Sequence, residues 1–140
     1  TLVMRLAEGD LLKTAPYISK LSEPVYDAYG MESLSSYAAY YAVYKKTTLD
    51  YKNTVLFCQT LGHLSIPCIQ GFVAGLLEHG KPGVEYKEAV NFCDESSLSE
   101  EESASCFGRL RGLASTMYNT EKLTEVCSLI SERYKTICSI

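Results

Sequence analysis

Six cysteines, at positions 58, 68, 93, 106, 127 and 138, constrain this 140-residue chain more than any other feature. They fall in three pairs with nine, twelve and ten residues between partners, and none occurs before residue 58. An even cysteine count in a small chain points to disulfides made in an oxidising compartment. Free buried thiols and a metal site are the alternatives. A metal is poorly supported, because there is no C-x-x-C and the two histidines, His63 and His79, lie far from any tight thiol cluster.

The cysteines also mark a repeat. Tyr51-Lys52-Asn53-Thr54-Val55-Leu56-Phe57-Cys58 and Tyr86-Lys87-Glu88-Ala89-Val90-Asn91-Phe92-Cys93 share the pattern Y-K-x-x-V-x-F-C. A third copy, Thr120 to Cys127, keeps the apolar residue before cysteine as Val126. The first cysteine of each pair recurs after 35 and then 34 residues, the period of helix-turn-helix solenoids. The local signals are helical as well. Ser65-Ile66-Pro67 reads as a helix start with Ser65 as N-cap and proline in the first turn. Ser99 with Glu102 three residues on reads as a capping box. Gly80-Lys81-Pro82-Gly83 separates one unit from the next, and Asn119-Thr120 opens the last.

Each cysteine pair is therefore predicted to bracket the turn of one helical hairpin. The first cysteine lies late in helix A and the second early in helix B. The expected bridges are Cys58–Cys68, Cys93–Cys106 and Cys127–Cys138, with bridges between neighbouring units as the alternative. Gly71 and Gly75 follow Cys68, and Gly108 and Gly112 follow Cys106. Glycines four apart on one helix face let another backbone approach, so these four are assigned to helix packing.

Residues 1–50 carry no cysteine and read as a degenerate first hairpin. Asp10 to Leu21 has a helical apolar stripe interrupted by Pro16, and Ser22-Glu23-Pro24 restarts a helix. Met31 to Lys45 is predicted helical, with Tyr37, Tyr40, Tyr41 and Tyr44 on one face. These tyrosines are either core against the next hairpin or a candidate interface, since tyrosine combines contact area with a polar tip.

The expected fold is all-α, a single domain spanning 1–140. It is a short right-handed solenoid of about three and a half antiparallel hairpins clipped by three disulfides. Its parts are the hairpin 1–50, repeat 1 at 51–85, repeat 2 at 86–119 and a partial repeat 3 at 120–140. Thr1 opens the chain without an initiator Met, so any signal peptide is absent from this sequence.

Several function classes recede. A net charge of -4 removes the electrostatic footprint of a nucleic-acid binder. Asn53 to Leu77 contains no Asp, Glu, Lys or Arg and is long enough for a bilayer, but polar residues and Pro67 interrupt it. Asp94, Glu95, Glu100, Glu101 and Glu102 form an acidic cluster without an EF-hand pattern, so calcium is not expected. His63 and His79 belong to no nucleophile motif, and bridged cysteines leave no thiol nucleophile, so the chain is not expected to be an enzyme. No cofactor or metal is expected.

Cys58-x9-Cys68 resembles one half of the twin C-x9-C proteins of the mitochondrial intermembrane space, which carry both cysteines on one continuous helix. More broadly, Tyr51 to Cys138, a helix-cysteine-turn-cysteine-helix unit with a following glycine, is similar to uncharacterised secreted cysteine-paired helical-repeat proteins. Members of that pattern carry histidine beside the glycine, where this chain has Gln70 and Ala74. The resemblance implies an extracellular or periplasmic address, with the intermembrane space as the alternative. The expected function is a non-catalytic scaffold or structural subunit, binding protein partners or copies of itself. A lipid or small-molecule carrier with an apolar cavity and an accessory subunit of an intermembrane-space complex are the alternatives.

Overall fold

A computed structural model describes residues 31, 32, 35, 36 and 50–138. The other residues of the segment expected to form a first hairpin, with Tyr37, Tyr40, Tyr41 and Tyr44, lie outside the described residues. Among the described residues all regular structure is helical, and no strand occurs.

Helix α1 is Tyr51–Gln59. The Asp50 side chain caps it by accepting a hydrogen bond from the Asn53 backbone N–H at 3.1 Å. It ends before Gly62, whose φ of +60° places it in the left-handed region that glycine enters without a Cβ clash. A 3-10 turn, Gly62–Leu64, runs directly into α2, Ser65–His79. The expected N-cap at Ser65 is thus corrected. Ser65 is the first helical residue, preceded by Leu64, and no side chain caps the helix. Pro67 stands third in α2, where the N–H it lacks has no helical partner to lose.

Helix α3 is Glu85–Cys93, entered through Gly83 at φ +89°. Helix α4 is Glu100–Met117, opened by the expected capping box: the Ser99 Oγ accepts from Glu102 N–H at 3.1 Å, and Glu102 Oε1 accepts from Ser99 N–H at 2.8 Å. Helix α5, Thr120–Leu129, is capped by Asn119, and a 3-10 segment follows at Glu132–Cys138.

The charge-free run from Asn53 to Leu77 has a structural cause. Helix α2 is the central element, packed against α1, α3 and α4, and its most extensive pairing is with α4. Cys68, Ile69, Phe72, Val73, Ala74, Leu76 and Leu77 are all buried, so the helix is apolar nearly all round, as an enclosed helix must be. Among the described residues no helix is long and apolar enough to cross a membrane.

All four phenylalanines of the chain lie in this core, one on each of α1 to α4: Phe57, Phe72, Phe92 and Phe107. Phe57 meets Phe72 edge to face at 6.3 Å, and Phe72 meets Phe92 at the same distance. Such pairs add stabilisation of about 0.5–1.5 kcal/mol each beyond the burial of their area.

The four packing glycines separate into two groups. Gly71 is buried where α2 meets Glu32 and Ser35. A Cβ there would overlap the Glu32 carbonyl oxygen and lie 2.6 Å from the Ser35 Cβ. Gly75 is buried on the same helix. Gly108 and Gly112 are exposed, and an added Cβ would touch nothing. Their assignment to helix packing is therefore corrected. Gly71 is three residues past Cys68 whereas Gly108 is only two past Cys106, and one residue turns a helix by about 100°. The second pair of glycines consequently faces solvent. Replacing both by alanine should stabilise the protein by about 0.5–1 kcal/mol per site, because only the entropic penalty of glycine in a helix is removed. Chemical denaturation measures this, and a loss of stability would show an unrecognised contact at that face.

Candidate functional site

Local helix starts and stops bring each cysteine pair together. Cys58 lies in the last turn of α1 and Cys68 in the first turn of α2, bridged with Cα atoms 5.4 Å apart. Cys93 closes α3 and bridges Cys106 of α4, also at 5.4 Å. Cys127 near the end of α5 bridges Cys138 at 5.9 Å. All three pairings are those expected from the hairpin reading, and no cysteine is free. One detail differs: Cys138 ends a 3-10 segment rather than standing early in a second helix. The first two bridges are 0% exposed, whereas both cysteines of the third are only partly buried.

A second set of contacts links successive hairpins through tyrosine hydroxyls and carboxylates. Tyr51 of α1 donates to Glu88 Oε2 of α3 at 2.9 Å, and its ring stands edge-on to Phe92 at 5.6 Å. Tyr86 of α3 donates to Glu125 Oε1 of α5 at 2.6 Å. Tyr118, just past α4, returns to Glu85 Oε1 at 2.5 Å. Lys122 completes the second junction: its ammonium donates to Glu125 Oε2 at 3.1 Å and lies 4.1 Å from the centre of the Tyr86 ring.

These contacts set the ionisation of the junctions. Burial first, and then the neighbouring carboxylates Glu88 and Glu85, push the Tyr51 and Tyr118 hydroxyls well above the ordinary tyrosine value, so both remain donors. Burial also works to raise the Glu85 carboxyl. The hydrogen bond from Tyr118, those from the Glu85 and Gly83 backbone N–H groups, and the charge of Lys122 outweigh it and hold Glu85 below its ordinary value of 4.5. Hydrogen bonds from Tyr86 and Lys122 similarly lower Glu125.

The chain matches no family model, no curated protein and no solved structure.

A depressed carboxyl binds protons more weakly in the folded chain than in the unfolded one. The contacts of Glu85 and Glu125 therefore contribute their full stability above about pH 4.5, the unfolded carboxylate range. That contribution is lost as the pH falls through the folded value. Glu85→Gln keeps an oxygen acceptor for Tyr118 and removes the titration. Its stability should fall less steeply on acidification than that of the parent chain, as read by urea denaturation at several pH values. Parallel pH profiles would remove Glu85 from the account.

An open cleft of about 270 Å³ lies between the α3–α4 loop and the 3-10 segment. Its lining includes Asp94, Glu95, Glu100, Ser103, Arg133 and Tyr134, and the Cys93 bridge lies at its edge. Arg133 pairs with Glu100 at 2.6 Å across it, and burial raises the Asp94 carboxyl. The other members of the acidic cluster diverge. Glu102 turns inward, where its Oε1 also accepts from Gln59 Nε2 at 2.9 Å; the same amide donates to the Ser97 carbonyl at 2.9 Å. Among the described residues no group of carboxylates, histidines and cysteines converges as a metal site.

The histidines are not brought together either. His63 is exposed in the turn before α2 and His79 ends that helix, roughly 20 Å further along it. The tyrosine–carboxylate junctions escaped the reading of the sequence, although the Y-K-x-x-V-x-F-C pattern already marked Tyr51 and Tyr86 as equivalent. Their partners lie 37 and 39 residues away, beyond any local rule.

Proposed function

We propose that the chain is a non-catalytic scaffold built of stacked, disulfide-clipped hairpins, placed in an oxidising compartment and assembling with protein partners or with copies of itself. The observation that carries this reading is the recurrence of one junction. The first tyrosine of one hairpin donates to a glutamate on the first helix of the next, as Tyr51 to Glu88 and again as Tyr86 to Glu125. The core repeats with it, since Phe57 and Phe92, and Phe72 and Phe107, are each 35 residues apart. Stacking through nearest-neighbour contacts is how solenoids build extended binding surfaces. At the third corresponding position stands Thr120, which cannot hand on the same tyrosine contact.

All six thiols are bridged, which suits an extracellular or periplasmic address. The intermembrane-space reading fits less well, because the 3-10 turn Gly62–Leu64 interrupts the helix that the twin C-x9-C pattern would keep continuous. The carrier reading finds little support in the Asp94–Arg133 cleft, which is lined mainly by polar and charged groups.

Native mass spectrometry of unreduced protein taken from its source tests the proposal. A scaffold appears as a homo- or hetero-complex held through protein contacts. A monomer carrying a small molecule that leaves on denaturation would replace the scaffold reading with the carrier.

A further inference from the structure

The third bridge differs from the other two in both accessibility and in what it restrains. Cys58, Cys68, Cys93 and Cys106 are 0% exposed, beyond the reach of an attacking thiolate in the folded state. Cys127 and Cys138 are partly open to solvent. Exchange requires access to sulfur, so a reductant should meet this bridge first.

The bridge ties down the 3-10 segment Glu132–Cys138, none of whose residues is buried. Among the described residues, a few other contacts hold that segment. The Tyr134 ring lies on Phe107 at 5.1 Å, Ile137 rests half-buried against the core, and Arg133 pairs with Glu100 between two well-exposed side chains. The Lys135–Glu132 pair is internal to the segment and anchors nothing. The segment nevertheless forms one wall of the cleft, through Arg133 and Tyr134, and lies over Phe107. An exposed ion pair and half-buried side chains on a short 3-10 turn make a weak hold once the cross-link is gone.

We propose that Cys127–Cys138 is a redox-sensitive clip, whose reduction releases the 3-10 strap and opens the cleft between Asp94 and Tyr134 while the two buried bridges keep the body folded. The reductant is a dithiol. One of its thiolates attacks Sγ of Cys127 or Cys138, forming a mixed disulfide and expelling the other cysteine as thiolate. Its second thiolate then displaces the protein sulfur. Two electrons pass to the protein, both cysteine sulfurs end as thiols carrying the dithiol's two protons, and the dithiol becomes a disulfide.

The test is a timed exposure of the native protein to dithiothreitol, with maleimide trapping, peptide mapping and hydrogen–deuterium exchange on the same samples. Cys127 and Cys138 should be labelled at least about tenfold faster than the other four cysteines. Exchange should rise over residues 131–138 and over the cleft loop 94–99, while α2 and α4 retain their protection. Simultaneous labelling of all six cysteines, or an unchanged cleft loop after Cys127 and Cys138 have opened, would overturn the proposal. The double variant Cys127→Ser/Cys138→Ser should show the same raised exchange without reductant and keep its helical circular dichroism. Global unfolding of that variant would equally overturn it, since the bridge would then hold the whole fold rather than a strap.

Discussion

Replacing Cys93 and Cys106 together by alanine should lower stability by on the order of 3 kcal/mol, the chain-entropy value for closing a loop of this length. Both cysteines are 0% exposed and sit against the core that holds Phe92 and Phe107, so the truncated side chains also leave unfilled space. A single domain holds only roughly 5–15 kcal/mol in total, so this one bridge is a large share of it. The expected fall in melting temperature is roughly 10 °C. Removing Cys58–Cys68 should act similarly, since it closes the α1–α2 turn in the same way. Removing the partly open Cys127–Cys138 should lower the melting temperature less, because its loss frees only the strap. Equal losses from all three pairs would contradict this ranking.

Gly71→Leu should destabilise the protein by on the order of 3 kcal/mol, through overpacking rather than through any change in helix propensity. The obstacle is backbone: the Glu32 carbonyl and the Ser35 Cβ occupy the space a side chain would need, and a backbone cannot swing aside as a long side chain can. Ser35 is itself held there, its hydroxyl donating to the Met31 carbonyl at 2.9 Å. Gly108→Leu provides the control, because it adds the same side chain to a helix position open to solvent. Thermal denaturation of the two variants should differ by many degrees. Similar melting temperatures would mean that α2 does not pack closely on Glu32 and Ser35.

The features legible in the sequence were those governed by local rules. The capping box at Ser99 and Glu102, the helix start at Asn119, and the turn at Gly83 each depend on residues within a few positions, and each forms. The cysteine pairing was legible for the same reason, since each bridge spans only its own turn. Ser65 misled because a 3-10 turn already fills the place a cap would take. Gly108 and Gly112 misled because alignment on the cysteines hides a one-residue offset, which moves a side chain to another face of the helix. The run from Asn53 to Leu77 showed its lack of charge but not the cause. Whether such a run is central or lipid-facing depends on which helices surround it. The junctions at Tyr51, Tyr86 and Tyr118 depend on how hairpins stack, a long-range matter that no spacing within one hairpin encodes. The candidate interface at Tyr37, Tyr40, Tyr41 and Tyr44 lies outside the described residues.

Each disulfide closes its own local turn, and none joins one cysteine pair to another. Tandem mass spectrometry of unreduced proteolytic peptides, digested at low pH so that bridges cannot exchange, tests this pairing most directly. The account predicts cross-linked peptides for Cys58–Cys68, Cys93–Cys106 and Cys127–Cys138, in a chain six hydrogens lighter than its reduced form. A bridge joining two hairpins, such as Cys68 to Cys93, or a set of unbridged thiols, would contradict it.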